Sequence, residues 1–240
     1  DWASARVVSD SPDKREVDDE RMAGTLIYEP VVEAAKAAKS EVLIVTPFLV
    51  PGEEGLALFR SLHERHVAVR VLTNSLESTP HVSAQAGYAH YRVPMLKLGV
   101  QLFEIRADPG LARGSGEPKR LVRYGTFGLH AKVYIFDRQR IFLGSMNFDQ
   151  RSMHLNTEIG LIIDSPALAE QEVERFERLT SPVNSYRVRL KIDPSTQAES
   201  LIWATQENGK PREYDVEPSQ TPGRRLEEDF MSILPLDSEL

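Results

Sequence analysis

The sequence predicts an α/β fold in which a mixed, largely parallel sheet is flanked by helices on both faces. Short runs rich in β-branched residues alternate with longer amphipathic segments in the order β-α-β-α-β, which is typical of a sheet covered by helices. The 240 residues are 41% apolar and 27% charged, as in ordinary globular domains. This length suits one large domain or two small ones.

The first half of the chain supplies this alternation. Apolar residues recur at helical spacing in three segments, which predict the helices Met22–Ser40, Glu53–Arg65 and Ser83–Leu98. Short apolar runs predict the strands Val42–Pro47, Ala68–Thr73 and Val100–Ile105. The next segment, Ala107–Arg120, combines Gly, Pro and basic residues without an apolar period, so we expect a surface loop there.

The second half contains mostly strands. Apolar runs predict strands at Ala131–Phe136, Ile141–Leu143 and Leu155–Ile163. The sequence Asp164–Ser165–Pro166 is a helix start signal and predicts the helix Pro166–Leu179. A small β-hairpin and a helix are then expected at the C-terminus, from the strands Tyr186–Ile192, Leu201–Gln206 and Pro211–Val216, the turn pair Asn208–Gly209 and the helix Arg225–Leu234.

Composition excludes several classes of protein. The chain has 29 Lys and Arg against 36 Asp and Glu, a formal net charge of −7, which disfavours a protein that grips long stretches of nucleic acid. It has no cysteine, and therefore no disulfide, thiolate nucleophile or Cys-ligated metal site. The longest apolar stretch, Val42–Val50, is far shorter than the roughly 20 residues of a membrane-spanning helix.

One constellation of polar residues has the composition of a phosphodiester site. In a strand, His130 and Lys132 point to the same face, so an imidazole can lie beside an ammonium group. The imidazole can attack phosphorus or transfer a proton, and the ammonium can stabilise charge on the phosphoryl oxygens. Further donors follow at fixed spacing in Asp137 and the segment Gly144–Asn147, which contains Ser145 and the Asn147 amide. This chemistry requires neither a metal nor a cofactor.

These residues resemble the signature of the phospholipase D superfamily, HxKxxxxD followed after six residues by GSxN. Further segments are similar to the carboxy-terminal half of bacterial two-motif cardiolipin synthases, namely Thr46–Gly52, Leu72–Leu76, Gly87–Arg92 and Asn156–Glu158. The chain departs from that pattern at Pro80 and Gln85, where such proteins tend to carry Asp and His. These departures concern the selectivity for a phospholipid more than the phosphodiester chemistry.

The resemblance implies a bilobal enzyme in which two such motifs, called HKD motifs, face each other across a pseudo-twofold axis. This chain contains one HKD motif, because no other histidine is followed two residues later by lysine. We therefore expect residues 1–21 to be a linker from a missing N-terminal half and residues 22–182 to be the phospholipase D-like domain. Residues 183–240 would form an extension that packs on the same domain.

The resemblance also implies a role for each residue. The histidine of the other lobe would become phosphohistidine, while His130 would act as the general acid and base. Lys132, Ser145 and Asn147 would bind the phosphoryl oxygens, and Gly144 would support them. Glu158 and Asp137 would orient their neighbours. Asp137 is included as a catalytic motif member, although on a regular strand it falls on the face opposite Lys132 and is as easily a structural acceptor.

The sequence is compatible with three functions. The first is a phosphatidyltransferase or phospholipase D that is cytoplasmic and peripheral at the inner membrane, with a phospholipid as its substrate. The second is a nuclease in which two copies pair to complete the site, although the net charge makes nucleic acid an unfavoured partner. The third is a catalytically inactive half domain that serves as a scaffold.

Overall fold

The computed structural model describes residues 2–14, 26–108 and 128–232. Their strands are β1 (Ser4–Ser9), β2 (Glu41–Val45), β3 (Leu49–Val50), β4 (Ala68–Asn74), β5 (Gln101–Ile105), β6 (Val133–Phe136), β7 (Arg140–Gly144), β8 (Phe148–Asp149), β9 (Ile159–Asp164), β10 (Ser185–Ile192), β11 (Glu199–Glu207) and β12 (Lys210–Tyr214). Their helices are α1 (Tyr28–Ala37), α2 (Gly52–Glu64), α3 (Val82–Lys97), α4 (Gln150–His154), α5 (Pro166–Leu179) and α6 (Pro222–Ser232).

One large mixed sheet organises the molecule, in the strand order β1-β9-β7-β6-β2-β4-β5-β10-β11-β12. The α/β class and the mixed sheet are confirmed. Parallel pairing in this sheet is confined to β2, β4 and β5, whereas its other neighbouring strands pair antiparallel, so "largely parallel" was wrong. The helices α2 and α3 provide the long crossovers that parallel pairing needs, while the turn at residues 137–139 forces β6 and β7 antiparallel.

Helices cover both faces of this sheet, as the sequence predicted. Successive residues of β2 pack in two different hydrophobic cores, because side chains alternate across a strand. Val42 and Ile44 pack in the core beneath α1, α2 and α3, and Leu43 and Val45 pack in the core beneath α5. The central strands are therefore buried on both faces, which explains their continuous apolar sequences.

Several local signals give the predicted structure. The Ser165 hydroxyl accepts a hydrogen bond from the Leu168 amide at 3.3 Å and starts α5 at Pro166. Asn208 and Gly209 both have positive φ, 51° and 76°, and form the tight turn between β11 and β12.

Other boundaries differ from the prediction. The strand expected at Leu155–Ile163 begins only at Ile159, because Asp149 accepts a hydrogen bond from the Ser152 amide and starts α4 before it. Within the described part of the first predicted helix, α1 begins at Tyr28. The surface loop expected at Ala107–Arg120 lies mostly outside the described residues, as does the end of the last predicted helix.

The two ends of the chain both join the large sheet. β1, which falls in the predicted linker, pairs antiparallel with β9 at one edge. β10 pairs antiparallel with β5, so the predicted C-terminal hairpin continues the sheet at its other end. Among the described residues, no helix combines the length and the apolar character needed to cross a membrane.

Candidate active site

His130 and Lys132 lie immediately before β6, at the end of the sheet where β2 and β4 finish. The Lys132 ammonium is 3.4 Å from each ring nitrogen of His130 and donates to the His130 carbonyl oxygen at 3.0 Å. His130 is exposed, whereas Lys132 is 9% exposed. The structure thus brings together the imidazole and ammonium groups that the spacing predicted, with only the imidazole open to solvent.

Burial and neighbouring charges shift the pKa of Lys132. Burial lowers the pKa of its ammonium group, and the carboxylates of Glu158 and Asp149 act in the opposite direction. The positive charge is therefore enclosed among acidic groups and directed toward His130. Such a cation can stabilise negative charge that develops on a nearby phosphoryl group, because few water molecules compete for it.

Ser145 and Glu158 form a second part of the site. The Ser145 hydroxyl donates to the buried Glu158 carboxylate and accepts a hydrogen bond from the Ile159 amide at 3.0 Å. Gly144 is required beside them, because a Cβ at that position would lie 2.7 Å from the Ile159 carbonyl oxygen. The glycine lets β7 and β9 approach closely enough for this hydrogen bond to form.

Asn147 connects the motif to α4. Its side-chain amide donates to the Ser152 hydroxyl at 3.2 Å, while its buried Oδ1 has no hydrogen-bond partner within the part of the chain that the structure describes. Asp149 accepts from the Ser152 amide at 2.6 Å. Burial is the main cause that raises the pKa of Asp149 to about 6, and the nearby Glu158 carboxylate contributes.

A cleft of about 410 Å³ opens beside Asn147 and Asp149. The first residues of α3 and the segment after β2 form its other walls, where His81 contacts Phe48 edge to face with ring centroids 5.5 Å apart. The remaining lining residues are Val50, Ser83, Ala84, Arg151 and Asn156. The cleft therefore combines Asn147 of the motif with an apolar rim, whereas His130 and Lys132 are not among its lining residues.

Asp137, which the motif includes among the catalytic residues, lies apart from His130 and Lys132 in the structure. It follows the opposite end of β6, where its carboxylate accepts hydrogen bonds from the amides of Lys39, Ser40 and Glu41 at distances from 2.8 to 3.1 Å. These hydrogen bonds lower its pKa despite partial burial. Asp137 fixes the start of β2 against the turn after β6, which is a structural role.

Sequence reasoning missed a buried ion pair behind the site. The Lys14 ammonium contacts the Asp10 carboxylate at 2.8 Å and donates to the carbonyl oxygens of Ser152 and Asn156 at 3.0 and 2.8 Å. Asp10 also accepts from the Glu158 amide at 2.9 Å. The Asp–x–x–x–Lys spacing was visible in the sequence, but its partners are more than 130 residues away.

Asn74 was also missed, although it fixes the backbone directly before His130. Its side chain donates to the Leu129 carbonyl oxygen at 3.1 Å and accepts from the Leu129 amide at 2.9 Å. The same amide group donates to the Pro47 carbonyl oxygen at 3.2 Å. Among the described residues, no group of three or more His, Cys, Asp and Glu side chains is arranged to bind a metal ion.

A mixed sheet with helices on both faces and an HKD motif at the ends of its central strands defines a phospholipase D-type lobe. Residues 31–180 match the profile of the family described as "Cardiolipin synthase, PLD-like domain". The chain belongs to this family, within the phospholipase D superfamily.

Individual relatives agree with this assignment. Cardiolipin synthase C of Escherichia coli K12 is 32% identical over 184 residues, which cover 73% of this chain and 36% of that protein. Cardiolipin synthase A of Pseudomonas fluorescens is 34% identical over 146 residues, which cover 60% of this chain and 26% of that protein. The matched region thus spans well under half the length of these curated relatives.

Among solved structures, the phospholipase D family member Nuc of Salmonella typhimurium superposes with a TM-score of 0.53 and 21% identity. The match covers 78% of this chain and 99% of that one. Phosphatidylserine synthase of Haemophilus influenzae superposes with a TM-score of 0.51 and 14% identity, over 77% of this chain and 39% of that one. These likenesses confirm the fold.

Proposed function

We propose that the chain is one lobe of a phosphodiester-cleaving enzyme that transfers a phosphatidyl group in the manner of a cardiolipin synthase. The observation that carries this proposal is the pairing of an exposed imidazole, His130, with a buried ammonium group, Lys132. The family match over residues 31–180 supports the same reaction class. A phospholipid is the proposed substrate, and contact with the membrane would be peripheral.

In this proposal His130 moves the proton in both halves of the reaction. A histidine of a second lobe attacks phosphorus, the bond from phosphorus to the leaving alcohol breaks, and His130 protonates that alcohol. The acceptor alcohol or water then gives its proton to His130 as its oxygen attacks the phosphohistidine, which releases the product and restores both imidazoles. Lys132 and Asn147 stabilise charge on the non-bridging oxygens.

Ser145 and Glu158 have a supporting role in this scheme. The Ser145 hydroxyl donates to the Glu158 carboxylate, so in the described structure its proton is directed away from solvent. Asp10 holds the backbone of Glu158, because its amide donates to the Glu158 carbonyl oxygen and its carboxylate accepts from the Glu158 amide. The Glu158 carboxylate acts on Lys132 through its charge. We propose that this group of residues positions Lys132 and receives a phosphoryl oxygen through the Ser145 hydroxyl when substrate binds.

The reaction requires a second lobe with its own histidine and lysine. An exposed apolar surface next to the motif suits such a partner, since Val7, Ile159 and Leu161 lie together on the β1–β9 edge and Ile159 follows Glu158 directly. The second lobe comes either from another part of the natural protein or from a second copy of this chain. In both cases the partner contributes catalytic residues to the site.

A nuclease formed by two copies is the alternative that the single HKD motif favours. A catalytically inactive half domain that serves as a scaffold is the second alternative. Parallel assays of the natural full-length protein on a phospholipid in mixed micelles and on plasmid DNA separate these functions. The proposal predicts turnover of the lipid, whereas cleavage of DNA alone would favour the nuclease and the absence of both activities would favour the scaffold.

The test of the mechanism is the substitution His130→Ala in the natural full-length protein. Loss of a positioned proton-transfer group lowers turnover by roughly 10² to 10⁴-fold, so we expect phosphodiesterase activity to fall by at least that factor. His90→Ala is the matched control, because His90 is also an exposed histidine but lies outside the HKD motif. Near-normal activity of the His130 variant would contradict the assignment.

A further inference from the structure

The loop between β4 and α3, residues 75–81, connects the two parts of the candidate active site. It follows Asn74, whose side chain donates to the Leu129 carbonyl oxygen and accepts from the Leu129 amide, directly before His130. It ends at His81, which lines the cleft. The position of this β4–α3 loop therefore affects both the imidazole of the motif and the wall of the cleft.

Hydrogen bonds inside the loop connect its middle to these two ends. The Ser78 hydroxyl donates to Asn74 Oδ1 at 3.1 Å, and the same oxygen accepts from the Leu129 amide. At the other end, Thr79 Oγ1 accepts a hydrogen bond from the His81 amide at 3.2 Å. Ser78 and Thr79 are both buried. A shift in the middle of the loop would therefore disturb the hydrogen bonds at both ends.

Two side chains near the C-terminus hold the middle of the loop. Arg224, in the first turn of α6, donates to the Thr79 carbonyl oxygen. Gln220, just before α6, donates to the Glu77 carbonyl oxygen at 2.6 Å. Both donors lie beyond residue 180, where the match to the family profile ends. A loop inside the matched domain is thus held by residues from outside it.

A buried ion cluster anchors these donors to the rest of the molecule. The Arg92 guanidinium of α3 donates to Glu217 at 2.7 Å and to Glu104 of β5 at 3.0 Å. It also lies 3.7 Å from the Glu228 carboxylate of α6. All four side chains are at least nine-tenths buried, and separating them would leave uncompensated charges in the interior. The cluster therefore fixes α6, and with it Arg224, relative to α3.

We propose that Arg224 and Gln220 are positioning residues for the phosphodiester reaction, because they hold the β4–α3 loop where it aligns His130 with the cleft. This inference rests on the proposed function. Both side chains donate to backbone carbonyl groups, so they act through the loop and not on the substrate. Misplacing a reacting group by about 1 Å can lower a rate roughly 10²-fold, so a positioning role has a measurable effect on turnover.

Kinetics of the natural full-length protein test this role. Arg224→Met removes the donor and keeps a long side chain that suits a helix, so we expect kcat for a phospholipid to fall about 10- to 100-fold. Arg224→Lys keeps a donor and should recover most of this loss. Arg175→Met is the matched control, because Arg175 is an exposed arginine that pairs with Glu172 on α5. Equal kcat values for the two Met variants would overturn the inference.

A double-mutant cycle separates positioning from a general loss of stability. Residues that act as a unit have strongly non-additive effects on turnover. If Arg224 acts through His130, Arg224→Met should lower kcat by less than about twofold once His130 is already replaced by Ala. A fully additive loss in the His130→Ala background would show that Arg224 supports the fold alone, and the inference would fail.

Hydrogen exchange tests the same inference without requiring turnover. The Leu129 amide donates to Asn74, and the Thr79 amide donates to the Ser75 carbonyl oxygen at 2.9 Å. Both amides should exchange at least about tenfold faster in Arg224→Met, because the loop that protects them is no longer held. The amides of β7 should exchange as in the parent. Unchanged exchange at Leu129 would overturn the inference.

A second variant covers the case in which Arg224→Met does not fold. Gln220→Glu removes the other donor from an exposed side chain before α6, and it should likewise speed exchange at Leu129 and lower kcat. Failure of the inference and failure of the proposed function are distinguishable. A parent protein that turns over no phospholipid would contradict the function, whereas normal turnover with normal exchange in both variants would contradict only the inference.

Discussion

Burial of individual charged residues determines how the candidate site works. Lys132 is enclosed while His130 is open, and the sequence spacing predicted their contact because residues two apart share one side of an extended chain. The same spacing rule predicted Asp137 on the opposite face of the strand, whereas in the structure it lies beyond the far end of β6, bound to the segment that starts β2. The ion pair of Asp10 and Lys14 could not be predicted, because its partners come from distant parts of the chain.

Asp149 provides a test of the electrostatics. Its pKa is raised to about 6, so its carboxyl group binds a proton more tightly in the folded protein than in the unfolded chain. The folded state therefore loses stability as the pH rises from about 4 to above 6. Asp149→Asn should stabilise the protein at pH 7 by up to about 2 kcal/mol, with no gain at pH 4.

Chemical denaturation at both pH values measures this difference. Asn can still accept the hydrogen bond from the Ser152 amide, so the start of α4 is retained. Asp215→Asn is the control, because Asp215 is exposed and its replacement should change the stability little at either pH. A destabilised Asp149→Asn protein at pH 7 would show that the ionised carboxylate contributes favourably to the fold.

At the scale of elements, the order of helices and strands was largely predictable and their pairing was not. Apolar period and turn residues identified α5 and the β11–β12 hairpin, since both are encoded locally. The antiparallel pairing of β7 with β9 depends on connections and on a close approach at Gly144 and Gly160. The short helix α4 was missed because its 5 residues are too few to show an apolar period.

The contact between β7 and β9 leads to a prediction for Gly144. A methyl group there would lie 2.6 Å from the Phe142 ring and 2.7 Å from the Ile159 carbonyl oxygen. Gly144→Ala should therefore destabilise the fold by about 1–3 kcal/mol, as overpacking does, and should disturb the hydrogen bond between Ile159 and Ser145. Thermal unfolding measures the change in stability.

Gly223→Ala is the matched control, because a Cβ at this position in α6 meets no atom closer than 3.9 Å. Alanine favours the helix over glycine, so this control should be neutral or slightly stabilising. If the two substitutions had equal effects, the close approach of β7 and β9 would not be what requires glycine at position 144.

At the scale of the whole molecule, the lobe is built on one large sheet with different surfaces at its two ends. One end carries the apolar β1–β9 edge beside the motif, and the helix α6 packs toward the other, next to the cleft rim. The sequence predicted that a second lobe completes the site, because one HKD motif supplies one histidine for a reaction that uses two. The exposure of Leu226 and Phe230 on α6 could not be predicted, since the opposite face of the helix carries Glu228, which contacts the buried Arg92.

The most direct test of the central claim is a search for the covalent intermediate in the natural full-length protein. The protein is mixed with a phospholipid labelled in its phosphatidyl group and stopped within the first turnover. We predict an acid-labile label on a histidine of the second lobe, formed at least about 10²-fold more slowly when His130 is replaced by Ala. A label on His130 itself, or equally fast labelling without His130, would contradict the account.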